Sequence, residues 1–146
     1  MANAHPFDVD AFLARPLVAR VAAAGPSVRP VWFLWEDGAF WWITGAWARL
    51  PEILARDPRV ALVVDSCNLD TGEVRQVTAR GEAVVAPFDS DRAHRKLARY
   101  LGPEEAGWDE RFSGRYLSDP DAQNTRFVRL APDRLTVRDL SFAPAG

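Results

Sequence analysis

The segment between residues 28 and 44 constrains the fold more than any other part of the chain. Two runs of aromatic and β-branched residues, 28–36 and 39–44, flank the dipeptide Asp37-Gly38. Asp-Gly is typical of a two-residue type I′ hairpin turn, because both central residues of that turn need a positive φ. We therefore predict a tight antiparallel hairpin, whose register follows by counting outward from the turn. The predicted pairs are Trp35 with Phe40, Leu34 with Trp41, Phe33 with Trp42, Trp32 with Ile43 and Val31 with Thr44.

Both faces of this hairpin are largely apolar, although a strand pair with one face in water should alternate apolar and polar residues. One face can be covered by the core of the domain itself. The other face needs a helix, a ligand or a second subunit. We accordingly expect a homodimer in which Trp32, Trp41 or the face carrying Phe33 and Trp42 lies at the subunit interface.

Hydrophobic periodicity divides the rest of the chain into further strands and helices. Strands are predicted at 17–24, 59–65, 74–86, 125–131 and 134–140, with helices before Pro16, over 45–56 and from Asp89 or Ser90 to Leu101. Residues 103–124 have no readable pattern. These elements predict a mostly β (α+β) fold, an antiparallel barrel with flanking helices, in one domain over residues 1–146.

Composition excludes several classes of function. The 146 residues carry 18 Lys and Arg against 20 Asp and Glu. The resulting net charge of −2, without a long like-charge run, gives no support for a nucleic acid or an anionic membrane surface as a partner. No apolar stretch approaches the length of a membrane span. The single cysteine, Cys67, excludes an internal disulfide, and we expect a cytoplasmic protein.

The sequence contains no standard catalytic or metal-binding constellation. The two histidines, His5 and His94, give no metal-ligand spacing with the one cysteine, so no metal is expected. His94 lies among charged helix residues and is interpreted as a solvated surface side chain. There is no nucleophile elbow, phosphate-binding loop or dinucleotide fingerprint. Catalytic side chains stay unassigned, and an external cofactor is expected to carry any chemistry.

The aromatic hairpin suits a flat, conjugated cofactor. The Thr44 hydroxyl, the backbone at Gly45 and the predicted helix start beyond it offer hydrogen bonds to a phosphate, and Arg49 can add a two-pronged contact. The alternative is that the aromatic residues form only the core and a dimer interface.

Several short motifs are distributed along nearly the whole chain, from about Phe12 to Leu140. The motifs are Pro-Val-Trp-Phe at 30–33, Asp-Gly at 37–38, Thr44, Asp-Pro-Arg-Val-Ala-Leu at 57–62, Gly-Glu-Ala at 81–83, Arg-Tyr-Leu-Gly at 99–102 and Pro-Asp-Arg-Leu at 132–135. Their order and spacing resemble the pyridoxamine 5′-phosphate oxidase-like split-barrel family. This family contains flavin- and deazaflavin-dependent oxidoreductases.

The resemblance implies a six-stranded antiparallel split β-barrel, a two-fold homodimer and two cofactors in grooves at the dimer interface. It implies that the strand at Val31 and Trp32 approaches the cofactor ring. It also implies that the segment from Ile43 to the following helix holds the cofactor phosphate. The cofactor implied is flavin mononucleotide (FMN) or the 8-hydroxy-5-deazaflavin coenzyme, or none if binding has been lost. The residues expected to bind it are Arg29, Val31, Trp32, Ile43, Thr44, Gly45, Ala48, Arg49 and Leu50.

The phosphate segment departs from the family pattern. Where the family has a serine, an arginine or similar residue and then a lysine, this chain has Ala48, Arg49 and Leu50. Losing one neutral and one charge-assisted contact costs roughly 2–4 kcal/mol of binding free energy. Leu50→Lys with Ala48→Ser should then tighten binding at least tenfold, unless Leu50 packs into the core, where a lysine would destabilise the fold. Basic residues that could compensate for the loss are Arg29, Arg75 and Arg80.

Two functions follow from these observations. The first is an oxidoreductase that transfers a hydride between a flavin or deazaflavin and an unidentified small substrate. The Arg-rich composition, with Lys96 as the only lysine, is typical of a GC-rich genome and favours the deazaflavin. The second is a non-enzymatic dimer that binds a flat ligand such as a flavin or haem, or that binds no cofactor.

Overall fold

The computed structural model describes residues 4–145, with the backbone alone at residues 115 and 116; residues 1–3 and Gly146 of the predicted domain lie outside the described residues. Three helices are α1 (Val9–Leu13), α2 (Leu50–Arg56) and α3 (Ser90–Leu101). Short helical turns at Glu105–Gly107, Glu110–Phe112 and Ser113–Leu117 follow α3, and we call them the 105–117 segment. The strands are β1 (Val18–Ala23), β2 (Ser27–Trp32), β3 (Leu34–Glu36), β4 (Ala39–Thr44), β5 (Arg59–Asn68), β6 (Glu73–Ala86), β7 (Arg126–Leu130) and β8 (Arg134–Asp139).

All strand pairs are antiparallel, in the order β2-β1-β5-β6-β7-β4-β3, with β8 paired to β6. Strand β6, 14 residues long, joins the two halves of the sheet because its first part pairs with β8 and its last part with β7. The sheet curls into a half-barrel with the helices beside it. This arrangement confirms the predicted mostly β split-barrel class, although the described residues form eight strands where the resemblance implies six.

The hairpin register is confirmed next to the turn and wrong beyond it. Trp35 pairs with Phe40 and Leu34 pairs with Trp41, around a turn in which Asp37 and Gly38 have φ of 56° and 67°. The predicted pairs of Phe33 with Trp42, Trp32 with Ile43 and Val31 with Thr44 do not form. Strand β2 instead pairs with β1, placing Val31 opposite Ala19 and Trp32 opposite Val18, and Trp42, Ile43 and Thr44 pair with β7.

The strand changes partner at Phe33 because helix α3 takes up the backbone hydrogen bonds of that residue. The Phe33 N–H donates to the Tyr100 hydroxyl at 3.0 Å, and the Arg99 guanidinium donates to the Phe33 carbonyl at 2.9 Å. Tyr100 also donates to the Leu17 carbonyl at 2.7 Å, which fastens the start of β1 to the same point. A ladder between β2 and β4 cannot continue past a residue whose backbone groups are already satisfied in this way.

Both apolar faces of the hairpin are covered by this chain itself. Phe33, Phe40 and Trp42 belong to the main core inside the sheet. Leu34 and Trp41 belong to a second cluster, which Ala93 of α3 and Phe127 of β7 complete. Phe33, Trp41 and Trp42 are buried, so the expectation that they lie at a subunit interface is wrong, whereas Trp32 remains partly exposed.

Helix α2 begins later than predicted. It starts at Leu50 rather than Gly45, which puts Pro51 in the first turn, where a missing N–H has no cost. Residues 45–49 form a turn instead. Helix α3 starts as predicted, because the Asp89 side chain accepts a hydrogen bond from the Arg92 N–H and caps it. No helix among the described residues is long and apolar enough to cross a membrane.

Candidate functional site

An open cavity of about 410 Å³ lies in the gap between β2 and β4 that the change of strand partner leaves. The turn at 45–49, helix α3 and Phe112 of the 105–117 segment complete its wall. The volume falls within the range of small-molecule sites. The lining residues are Arg29, Pro30, Val31, Trp32, Trp42, Ile43, Thr44, Trp47, Ala48, Arg49, Leu50, Lys96, Leu97 and Phe112.

Eight of the nine residues expected to bind a cofactor line this one cavity, and Gly45 is the ninth. Gly45 instead lies under the Trp47 ring, since a Cβ at this position would come within 2.2 Å of the ring. The glycine therefore allows this close approach, and a larger residue would displace the Trp47 ring.

The backbone of the turn is less available to a phosphate than the sequence predicts. The Ala46 N–H donates to the Gln123 carbonyl at 2.9 Å, and the Ala48 N–H donates to the Gly45 carbonyl at 3.0 Å. These two donors are therefore already used. The predicted helix start next to Thr44 is also displaced to Leu50. Side chains, rather than the backbone of a helix end, are left to meet an anion here.

Three cationic side chains line the cavity, and no aspartate or glutamate is among the described lining residues. Arg29 donates to the Ser27 hydroxyl at 2.8 Å and to the Val21 carbonyl at 3.4 Å, and burial lowers its pKa. Arg49 is exposed at the cavity edge. The third cation is Lys96 of α3, which is 5% exposed. This charge imbalance favours an anionic ligand.

The other basic candidates do not reach the site. Arg75 forms ion pairs with Glu73 and Asp139 on the far part of β6 and lies over the Phe7 ring. Arg80 is an exposed residue of β6 that does not line the cavity. Leu50 is 4% exposed and belongs to the main core, so this position does not offer a solvated side chain to a phosphate.

Aromatic rings form the other part of the wall. Trp32 stacks on Tyr100 with ring centroids 4.5 Å apart and on Phe112 at 5.2 Å. Two buried polar atoms next to the cavity, Trp42 Nε1 and Thr44 Oγ1, have no hydrogen-bond partner. Buried polar atoms of this kind are ordinarily satisfied, so these two side chains are unusual among those that line the cavity.

Lys96 is the charged site residue that the sequence analysis missed, because its charged neighbours suggested a solvated helix face. Ala93, Lys96, Leu97 and Tyr100 follow the three- and four-residue spacing of one helix face, and that face is turned inward. The spacing was the available signal. His94, on the other side, has 43% of its side chain exposed and lies 3.3 Å from Glu105. No group of three or more potential metal ligands occurs in the described part of the chain.

The family model for pyridoxamine 5′-phosphate oxidase matches residues 8–139. The chain belongs to this family. The match confirms the resemblance drawn from the motifs. No curated protein matches the chain.

Solved structures of similar fold align with nearly the whole chain. A conserved hypothetical protein, Rv2991, from Mycobacterium tuberculosis superposes with a TM-score of 0.65 at 23% identity, covering 100% of this chain and 97% of that one. A structure named F420 reductase gives 0.63 at 19% identity, with 90% and 98% coverage. An FAD-binding protein from Mesorhizobium loti gives 0.61 at 19% identity, with 90% and 92% coverage. At these identities the likeness shows the family fold, which is one that flavin-binding proteins use.

Proposed function

We propose that this protein binds a flavin-type cofactor, FMN or the 8-hydroxy-5-deazaflavin coenzyme, and uses it as an oxidoreductase on a small substrate. The proposal rests on one observation. The cavity between β2 and β4 combines aromatic walls with three cations and no lining carboxylate among the described residues. A conjugated ring that carries an anionic chain matches both properties.

The residues divide between the two parts of such a cofactor. Arg29, Arg49 and the Thr44 hydroxyl would hold the anionic chain, since guanidinium groups bind phosphate through paired hydrogen bonds. Trp32 and Ile43 would border the ring. The neighbours named as an FAD-binding protein and an F420 reductase support this class of cofactor without choosing between its members.

The cofactor, when bound, accepts or donates a hydride, and the protein supplies position and a dry surrounding. The buried rings on β4 and the Trp32–Phe112 stack would give a bound cofactor an apolar wall. No side chain of the described residues needs to act as a nucleophile in this chemistry.

A second candidate is a carrier that binds a flat ligand without turnover. The burial of Leu50 and the internal hydrogen bond of the Ala48 N–H favour it, because both weaken a phosphate site. Haem suits this cavity poorly, since neither His5 nor His94 lines it.

We further propose that the protein acts as a homodimer in the cytoplasm. Strand β2 is an edge of the sheet, and Val28 on it is 71% exposed. A second subunit on this edge would cover Val28 and close the cavity beside Arg29. The exposed free thiol of Cys67 suits a reducing compartment.

Fluorescence titration tests the proposal, with quenching of the six tryptophans as the signal. We expect FMN or the deazaflavin to bind, and Arg49→Ala to weaken binding by roughly 10- to 100-fold, the value of one charge-assisted contact. Arg80→Ala, an exposed charge outside the cavity, is the matched control and should have no effect. Binding of neither compound would refute the cofactor assignment. Reoxidation of the reduced bound cofactor by added acceptors, followed by stopped flow, separates the enzyme from the carrier.

A further inference from the structure

Lys96 is the only lysine of the chain, and it is buried in the wall of the cavity. Its side chain lies on the inward face of α3, with Leu97 beside it and the Trp32 ring 5.9 Å from its ammonium nitrogen. A lysine that is 5% exposed is unusual unless it is paired.

No such pair exists among the described residues, where Nζ of Lys96 has no hydrogen bond and no ion pair. The carboxylates on neighbouring elements are engaged elsewhere, because Glu36 pairs with Arg92 and Arg95, and Glu105 with His94. Burial, and then the positive charge of Arg99, lower the pKa of Lys96 to about 7.

The other charged side chains that line the cavity, among the described residues, are positive, and Glu52 lines only the neighbouring pocket that Arg29 and Arg49 share. Arg29 of β2 and Arg49 of the 45–49 turn line it together with Lys96, and Arg99 lies on the same helix. Arg29 and Trp32 are three residues apart on β2, which is about 10 Å along an extended strand. The cavity therefore has two ends along β2, one at Arg29 and one at Trp32. Lys96 is the cation at the Trp32 end.

A buried cation without a counter-ion is costly, and an anion brought by a ligand removes that cost. The site accordingly has a positive charge with open hydrogen-bond capacity, facing a space walled by flat rings. An alcohol or an amine in this place would leave the charge unbalanced. A carboxylate attached to a planar group satisfies both features.

We propose that Lys96 is the counter-ion for the carboxylate of a planar organic acid that binds at the Trp32 end of the cavity. Such acids are then the substrate class of the oxidoreductase, a statement that rests on the proposed function. Binding of the acid by Lys96 does not itself require the cofactor, so the two can fail separately.

The single lysine makes a direct test available. Lysine labelled with ¹³C at Cε gives one side-chain resonance, whose pH titration reports Lys96 alone. We expect a midpoint near pH 7 in the free protein, rising by at least one pH unit with saturating benzoate and unchanged with benzamide, its uncharged analogue. A midpoint above pH 10, or one that benzoate does not move, would overturn the proposal.

Affinity provides the second measurement. Calorimetry at pH 6 should show benzoate binding at least tenfold more tightly than benzamide, and Lys96→Met should abolish the difference. Arg95→Met removes the same charge from the neighbouring, half-exposed position and should leave the preference intact. Equal losses in the two variants would contradict a specific role for Lys96.

A third arm separates the sources of the anion. If FMN or the deazaflavin alone raises the midpoint of Lys96 and benzoate then has no effect, the cofactor supplies the anion and the substrate assignment is wrong. If benzoate binds through Lys96 and neither cofactor binds, the proposed oxidoreductase fails while the acid site stands.

Discussion

Burial changes the chemistry of Lys96 within the fold. Lys96 is 5% exposed and pairs with no carboxylate among the described residues, and its pKa falls from 10.5 to about 7. The unfolded chain therefore binds one more proton than the folded chain between about pH 7 and pH 10. The contribution of Lys96 to folding stability therefore rises with pH across that window, because the stability gradient follows the excess of protons bound by the unfolded state.

Replacing Lys96 by methionine removes this effect. The variant should be more stable than the wild type at pH 6, by up to about 4–5 kcal/mol, since one pKa unit is worth about 1.4 kcal/mol. The gain should shrink steadily between pH 7 and pH 10 as the wild-type lysine loses its proton. Urea unfolding of both proteins at several pH values measures it. A gain that is the same at pH 6 and pH 10 would show that desolvation of the charge is not its cause.

Leu50 is the residue of the phosphate segment whose burial argues against a role in cofactor binding. The structure places it in the main core at 4% exposure, which favours the destabilising outcome for a lysine at this position. We expect Leu50→Lys with Ala48→Ser to lose about 2–4 kcal/mol of stability without tightening the cofactor. Leu50→Met, which conserves volume, should cost less than about 1.5 kcal/mol. Tenfold tighter binding at unchanged stability would restore the phosphate site that the resemblance implies.

Helix α3 determines how the neighbouring strands pair. Through Arg99 and Tyr100 it holds the backbone of Phe33, and Arg99 also donates to the Leu13 and Arg15 carbonyls. The helix therefore fixes the point at which β2 and β4 separate. Because the cavity lies in that separation, the same helix positions the site and contributes Lys96 to it.

Tyr100→Phe tests this role. The substitution leaves the buried Phe33 N–H without its acceptor, which should cost about 1–3 kcal/mol of stability. Hydrogen exchange at the Phe33 amide should become faster, while exchange at Ile43, in the β4–β7 ladder, stays unchanged. Unaltered exchange at Phe33 would mean that another feature breaks the ladder.

What the sequence could predict depended on how local each feature was. The turn at Asp37-Gly38 is set by two adjacent residues, and its two nearest pairs were correct. The break at Phe33 depends on Tyr100, 67 residues away, and no pattern inside the hairpin shows it. Thr44 was named from the hairpin itself, whereas Val31, Trp32 and Ile43 were named through the family resemblance. Lys96 was missed because a single charged residue in an inward stripe looks like part of the solvated face.

Strand β2 is one edge of the sheet and lies next to the cavity. Pro30 lies in this strand, which is where an edge tolerates a residue without an N–H. Val28 is exposed there, and so are Val84 and Val85 on β6. In the proposed dimer, a second subunit covers the β2 edge and Val28.

Sedimentation equilibrium tests the dimer. We expect twice the chain mass at micromolar concentration, and Val28→Asp should weaken association by at least tenfold because it places a charge in an apolar contact. Leu69→Asp is the control, since Leu69 has the same 71% exposure in the β5–β6 turn. A wild-type monomer at these concentrations would contradict the proposed dimer. An equal effect of the two variants on association would contradict the β2 edge as its interface.

The gap between β2 and β4 is the proposed site of a flavin-type cofactor. A crystal structure of the complex with FMN or the deazaflavin, whichever binds more tightly, shows whether the cofactor lies there. We predict the ring between β2 and β4, within contact of Trp32 and Ile43, with the phosphate beside Arg29 and Arg49. A cofactor bound at any other surface, with this cavity holding solvent alone, would show that the gap is not the cofactor site.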